Sequence, residues 1–147
     1  MAEAIFRHQV KEAGLSGRIQ TDSAGTGDWH IGKPPHQGTR KLLQQKQIDC
    51  SGLTARQVVE DDFASFDYII VMDESNLTDM RRLVPTGSGA AATIKKMLGY
   101  HPDLPGKDVP DPYYTGNFNE VYDMLSVSCR ELLAEIISKH FQANIGK

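Results

Sequence analysis

Cysteine and tryptophan are scarce in this chain of 147 residues: Cys50 and Cys129 are the two thiols, and Trp29 is the single indole. Two cysteines cannot build a disulfide framework, and these two have no metal-ligand spacing. The five histidines are scattered, so none is assigned to a metal. No run approaches the roughly 20 apolar residues of a membrane span. The opening MAEAIFRHQVKEAGL carries charges throughout and lacks the apolar centre of a signal peptide. A basic excess is missing too. The net charge is -3 and Lys and Arg do not cluster, which argues against a nucleic-acid surface. The expectation is one cytoplasmic domain spanning 1–147, without membrane or nucleic-acid partners, large enough to bury a core unaided.

What is present alternates between helix and strand. Ala2, Ile5, Phe6, Val10 and Ala13 recur at helical spacing up to Gly14. Arg18 to Ser23 reads as a short strand ending in the turn Ala24-Gly25-Thr26-Gly27. Gly32 to Pro35 is a loop, followed by a polar helix from about Gly38 to Gln47. Tyr68-Ile69-Ile70-Val71-Met72 is an unbroken apolar run, as a parallel strand covered on both faces requires. Ser75 is the expected cap of a helix to about Leu83, and Thr93 to Leu98 a third strand. Asn117 and Glu120 suggest a capping box for a long last helix whose stripe is Val121, Leu125, Leu132 and Ile136. Such alternation predicts a parallel α/β sheet.

The chemistry-bearing stretch is Asp108-Val109-Pro110-Asp111-Pro112-Tyr113-Tyr114. Two prolines hold Asp111 extended and outside any helix. A carboxylic acid on so stiff a loop can protonate a departing phenolate, and paired tyrosines suit a flat aromatic substrate. A turn aspartate before two half-buried tyrosines is the alternative from this loop alone.

Several further segments, in order and spacing, carry a resemblance. They are Asp22-Ser23-Ala24-Gly25-Thr26, Gly32-Lys33-Pro34-Pro35, Ala55-Arg56-Gln57 and the run from Phe66 to Asn76. Together with the opening helix and Asp111-Pro112-Tyr113-Tyr114 they resemble the low-molecular-weight protein-tyrosine phosphatases over nearly the whole chain. The resemblance implies a three-layer, flavodoxin-like fold with a four-stranded parallel sheet and helices on both faces. It implies a cysteinyl-phosphate mechanism without metal or cofactor, acting on a phosphotyrosine protein or aryl phosphate. Asp111 is then the general acid, Trp29, Tyr113 and Tyr114 line the substrate pocket, and Ser23 and Asp73 support the site.

The family's nucleophile belongs to a Cys-x5-Arg-Ser/Thr loop between its first strand and first helix. This chain opens at that helix, with no capping side chain before Met1. The resemblance therefore implies about 15 residues ahead of Met1, a strand of about 5–6 and the loop. Without them the chain is expected to be inactive, with exposed sheet edges that favour self-association. Cys50 to Arg56 is literally Cys-x5-Arg. No apolar strand precedes it and Gln57 follows it, so it lacks the context of a phosphate loop. Cys129 is read as core. Arsenate reduction on the same fold and a non-catalytic phosphotyrosine-binding remnant are the rival readings. The first needs a downstream redox cysteine pair; the second differs only in what precedes Met1.

Overall fold

The computed structural model describes residues 1–25, 37–53, 56–84, 92–110 and 117–141. The apolar run becomes strand β1, Tyr68–Val71, which pairs in parallel with β2, Thr93–Lys96. Tyr68 lies opposite Thr93 and Val71 opposite Lys96. Because strand side chains alternate between faces, Ile69 and Val71 pack with Phe63, Leu77 and Met80. Tyr68 and Ile70 turn the other way, toward Tyr100, Leu132 and Ile136.

Helices supply both covers. On one side lie α3 (Asp62–Ser65) and α4 (Glu74–Leu83). On the other, α1 (Ala2–Glu12) and α2 (Gln37–Gln45) pack with α5 (Phe118–Ile136). The layering is the expected helix–sheet–helix arrangement. Ile5, Leu43, Leu98 and Val121 are almost completely enclosed between them. Each such side chain contributes about 1.5–3 kcal/mol relative to exposure.

Several boundaries differ from expectation. The segment from Arg18 to Ser23 is not a strand. The Arg18 and Ile19 amides donate to the Leu15 carbonyl in the turn after α1, and residues 20–24 join no ladder among the described residues. One parallel bridge, Gly25 to Gln57, forms instead. A β-favouring sequence becomes a strand only when a neighbour takes its hydrogen bonds. The sheet of the described residues accordingly has two strands rather than three. β2 ends at Lys96, and Met97–Tyr100 winds into a 3₁₀ turn. Asn117 does stand at the N-cap of α5, but its side chain makes no capping bond. Its backbone, φ -90° and ψ 58°, is off the extended conformation that aims a cap at the first turn.

The end of α2 holds a local strain. Gln47 adopts φ 59°, while its amide donates to Gln44 and that of Ile48 to Leu43. These are the two bonds of a Schellman stop, whose left-handed residue is usually glycine. Gln47 is exposed, so its side chain offers little burial in return. Gln47→Gly should raise the unfolding free energy by about 0.5–1 kcal/mol, read in urea melts at constant slope. A lower midpoint would show that the glutamine side chain outweighs the strain.

Candidate active site

Parallel strands end on the same edge of the sheet, and open α/β sheets bind ligands outside their carboxyl ends. At that edge β1 runs out through Met72 into Asp73, which is extended at φ -146° and ψ 175°. Its Oδ1 accepts the Asn76 amide at 2.8 Å. Asp73, rather than the expected Ser75, is therefore the N-cap of α4, because the cap must precede the first helical residue with its backbone still extended. Of the two supporting residues expected here, Asp73 has a structural task already.

A second carboxylate converges on the same helix start. Asp108 Oδ1 accepts the Glu74 amide at 3.1 Å and lies 2.6 Å from Lys96 Nζ. The ammonium also bonds the Gly106 carbonyl at 2.8 Å and approaches Glu74 Oε2 at 3.6 Å. Lys96 is the last residue of β2, and its side chain is only 13% exposed. Its bond to Asp108 raises its pKa, and the same bond holds Asp108 below the usual carboxylate range. The next residue completes the attachment: the Val109 amide donates to the Met72 carbonyl at 2.8 Å. Residues 106–109 are thus fastened to the ends of both strands. Asp111, Tyr113 and Tyr114 follow in sequence but lie outside the described residues, as does Trp29.

Two of the segments that carried the resemblance meet at Arg56. Its guanidinium forks onto Asp62, both contacts at 3.0 Å, and Nε donates to Asp22 at 3.0 Å. Asp62 also accepts the Val59 amide. Burial pushes the Asp62 carboxyl up, but the Arg56 and Val59 donors outweigh it, leaving the group below its ordinary value. The Asp62 bond in turn raises Arg56. Beside this clamp the Gly25 amide donates to the Arg56 carbonyl and Val58 returns a bond to Gly25. Ser23, the other expected supporting residue, gives its hydroxyl to Glu3 on α1. No hydrogen bond among the described residues links it to Asp73.

The cysteines take no active-site position. Cys129 is fully enclosed, and burial drives its thiol up to about 12. Cys50 is followed by a turn in which Asp49 accepts both the amide and hydroxyl of Ser51. Two grooves flank α1, one against α5 lined by Tyr122 and Arg130, the other lined by Arg7 and Thr21. Neither includes Asp73, Lys96 or Asp108, and the chemistry of the strand ends marks the better candidate. Sequence reasoning missed Lys96, Glu74 and Arg56 as fastening groups. For Asp108 a signal existed: a carboxylate three residues before Asp111 in the same stiff loop.

Residues 1–143 match the family model described as "Low molecular weight phosphotyrosine protein phosphatase". The low molecular weight protein-tyrosine-phosphatase YfkJ of Bacillus subtilis is 49% identical over 136 residues, covering 92% of this chain and 86% of that protein. PtpA of Staphylococcus epidermidis, with the same description, is 42% identical, covering 93% and 84%. The crystal structure of YfkJ superposes with a TM-score of 0.87 at 47% identity, covering 95% of this chain and 86% of that one. A product-state mimic of the protein tyrosine phosphatase from Entamoeba histolytica gives 0.85 at 28% identity, covering 95% and 88%.

The Arg56 clamp generates a pH-dependent prediction. Asp62→Asn should cost about 1.5–3 kcal/mol near neutral pH, the range for a hydrogen bond to a charged group. Because the folded carboxyl lies below its unfolded value, that contribution is complete above about pH 5 and fades as acid protonates the folded group. Wild type and variant should therefore converge below about pH 4 in urea melts across pH. A gap that persists in acid would assign the loss to packing instead of charge.

Proposed function

From the chain's membership of the low molecular weight phosphotyrosine protein phosphatase family, we propose that its residues serve phosphotyrosine monoester hydrolysis with Asp111 as general acid. The observation that carries this reading is the double attachment of the segment before Asp111. Val109 bonds β1 and Asp108 bonds Lys96 and α4, so the chain leaves Pro110 from the sheet edge where a ligand belongs.

In the first step a cysteine thiolate attacks phosphorus, an S–P bond forms and the P–O bond to tyrosine breaks. The proton on Asp111 passes to the departing phenolate oxygen. In the second step Asp111, now a carboxylate, takes a proton from water, which attacks phosphorus and breaks the S–P bond. Trp29, Tyr113 and Tyr114 hold the aromatic ring, and Asp73 and Ser23 steady the segments around it. Loop amides and an arginine neutralise the phosphate, so no metal or cofactor takes part.

Neither cysteine of the 147 residues is that nucleophile. Cys129 is enclosed and protonated, and the Cys50 turn is occupied by Asp49. On this reading the thiolate belongs to a Cys-x5-Arg-Ser/Thr loop, and neither Cys50, whose motif runs into Gln57, nor Cys129 lies in one. The buried Cys129 also weighs against a redox cysteine pair of the arsenate-reducing kind.

The 147-residue chain should release no phosphate from an aryl phosphate above the buffer rate, and Cys50→Ser should change nothing. With a strand and a Cys-x5-Arg-Ser/Thr loop ahead of Met1, it should turn over phosphotyrosine in the presence of chelator. Asp111→Ala should then lower kcat/KM for poor leaving groups by about 10²–10⁴, the usual worth of a general acid, and for good ones far less. Equal losses for both would remove Asp111 from that role, and turnover abolished by Cys50→Ser would restore the rejected motif.

Self-association belongs to the same proposal. Among the described residues β1 is hydrogen-bonded along one edge only, to β2, and an open edge is a template for another strand. Sedimentation velocity of the 147-residue chain should show species larger than a monomer, growing with concentration. A single monomer peak across the accessible range would remove the edge as an association site.

A further inference from the structure

We propose that Lys96 and Asp108 form a positioning pair for the general acid, acting on the reaction through Asp111 and touching neither substrate nor phosphate themselves. The proposal rests on the reading of Asp111 given above and adds residues that set its geometry.

The pair differs from an ordinary surface ion pair, which contributes little because water and mobility compete with it. Lys96 emerges from the last register position of β2, opposite Val71, so its root is fixed by the ladder. Its ammonium is surrounded by Asp108, the Gly106 carbonyl and Glu74, with little exposure to solvent. Asp108 is held by two donors of different origin, the ammonium of β2 and the first-turn amide of α4. Gly106 itself adopts φ 77°, a left-handed turn that lets its carbonyl face the lysine. Val109 then adds a rung beyond β1 and is buried in the main core.

Three consecutive elements of the fold therefore converge on two residues, Asp108 and Val109. Pro110 follows with its φ fixed by the ring, which removes one rotation between this anchor and the next residue in sequence, Asp111. An acid must lie within hydrogen-bond reach of the leaving oxygen, and a displacement of about 1 Å costs about a hundredfold. Cutting the anchor should thus act on proton transfer and leave attack by the nucleophile intact. A pair that merely stabilised the fold would slow every substrate alike, or none.

The kinetic test uses the chain carrying its Cys-x5-Arg-Ser/Thr loop, with phenyl phosphate as the poor leaving group and 4-nitrophenyl phosphate as the better one. Lys96→Met and Asp108→Asn should each lower kcat/KM for phenyl phosphate by about 10- to 100-fold. The effect on kcat/KM for 4-nitrophenyl phosphate should stay within about threefold, because that phenolate needs little protonation and the later S–P hydrolysis, common to both substrates, does not enter kcat/KM. Lys96→Arg should recover most of the rate. In the Asp111→Ala background, Asp108→Asn should cost nothing further, since a residue that acts through another loses its effect when that residue is gone.

In the 147-residue chain, Asp108→Asn should also speed hydrogen exchange at the Val109 and Glu74 amides, a readout independent of activity. Additive losses in the double variant, or equal losses on both substrates, would overturn the proposal. Faster exchange without a leaving-group-dependent loss would overturn it too, reducing the pair to a structural tie. A loss on phenyl phosphate in Asp111→Ala that neither anchor variant shares would sink the pair and spare the acid. Absence of any such loss in Asp111→Ala would instead sink the functional reading, and the pair's catalytic role with it. Should Lys96→Met fail to fold, Asp108→Asn at the half-exposed partner decides alone.

Discussion

Parallel pairing of Tyr68–Val71 with Thr93–Lys96 brings the carboxyl ends of two strands to one edge, and the chain must leave both there. Parallel neighbours cannot be joined by a tight turn, so β1 reaches β2 through a crossover that contains α4. β1 hands over to α4 through Asp73, and β2 to the 3₁₀ turn and then the 101–110 segment. The second exit returns across the first, with Val109 bonding Met72. The ladder therefore decides where carboxylates accumulate. Asp73, Glu74 and Asp108 crowd one edge because the start of α4 offers unsatisfied amides and a positive dipole end that favours anions.

Charge is used in this fold to join segments that hydrophobic packing does not. Arg56 is shared by Asp22 and Asp62, and Lys96 by Asp108 and Glu74. In both cases a cation meets two carboxylates from separate stretches of chain, one less exposed than the other. The better enclosed Asp62 also accepts a backbone amide, so removing its partner would strand a partly buried charge. The forked geometry of Arg56 suits that site in a way an ammonium could not reproduce. Lys96 serves where two carboxylates and one carbonyl surround one point, which a compact ammonium can satisfy.

How much of this was legible depended on whether the cause was local. The run Tyr68 to Val71 was readable because a strand covered on both faces must be apolar at every position. The segment from Arg18 to Ser23 was not, since its pattern fits a strand but strand formation depends on a neighbour that sequence does not name. Ser75 was read as the cap of α4, but the extended backbone at Asp73, a consequence of where β1 ends, gives Asp73 that place. Ser23 and Asp73 were found through the segments that contain them, yet their contacts are a bond to Glu3 and a helix cap. Lys96 and Asp108 were overlooked as a pair because a lysine near a strand end reads as solvent-exposed, and nothing local announces a partner 12 positions on. Trp29, Asp111, Tyr113 and Tyr114 lie outside the described residues, so their reading still rests on the loop sequence and the resemblance.

The fate of Cys50 shows why spacing alone cannot specify a phosphate loop. Such a loop works by leaving successive amides unpaired and aimed at one point, with an arginine free to close over the anion. After Cys50 the Ser51 amide is already taken by Asp49, whose carboxylate would repel a phosphate. Arg7 binds the Asp49 and Ser51 carbonyls from outside, and Gly52 at φ 77° continues the turn. Arg56, the formal partner of the motif, points instead into Asp62 and Asp22. Among the described residues the Ser51 amide and the Arg56 guanidinium are thus already engaged elsewhere. A residue pattern becomes a catalytic device only where the surrounding chain leaves its donors unspent.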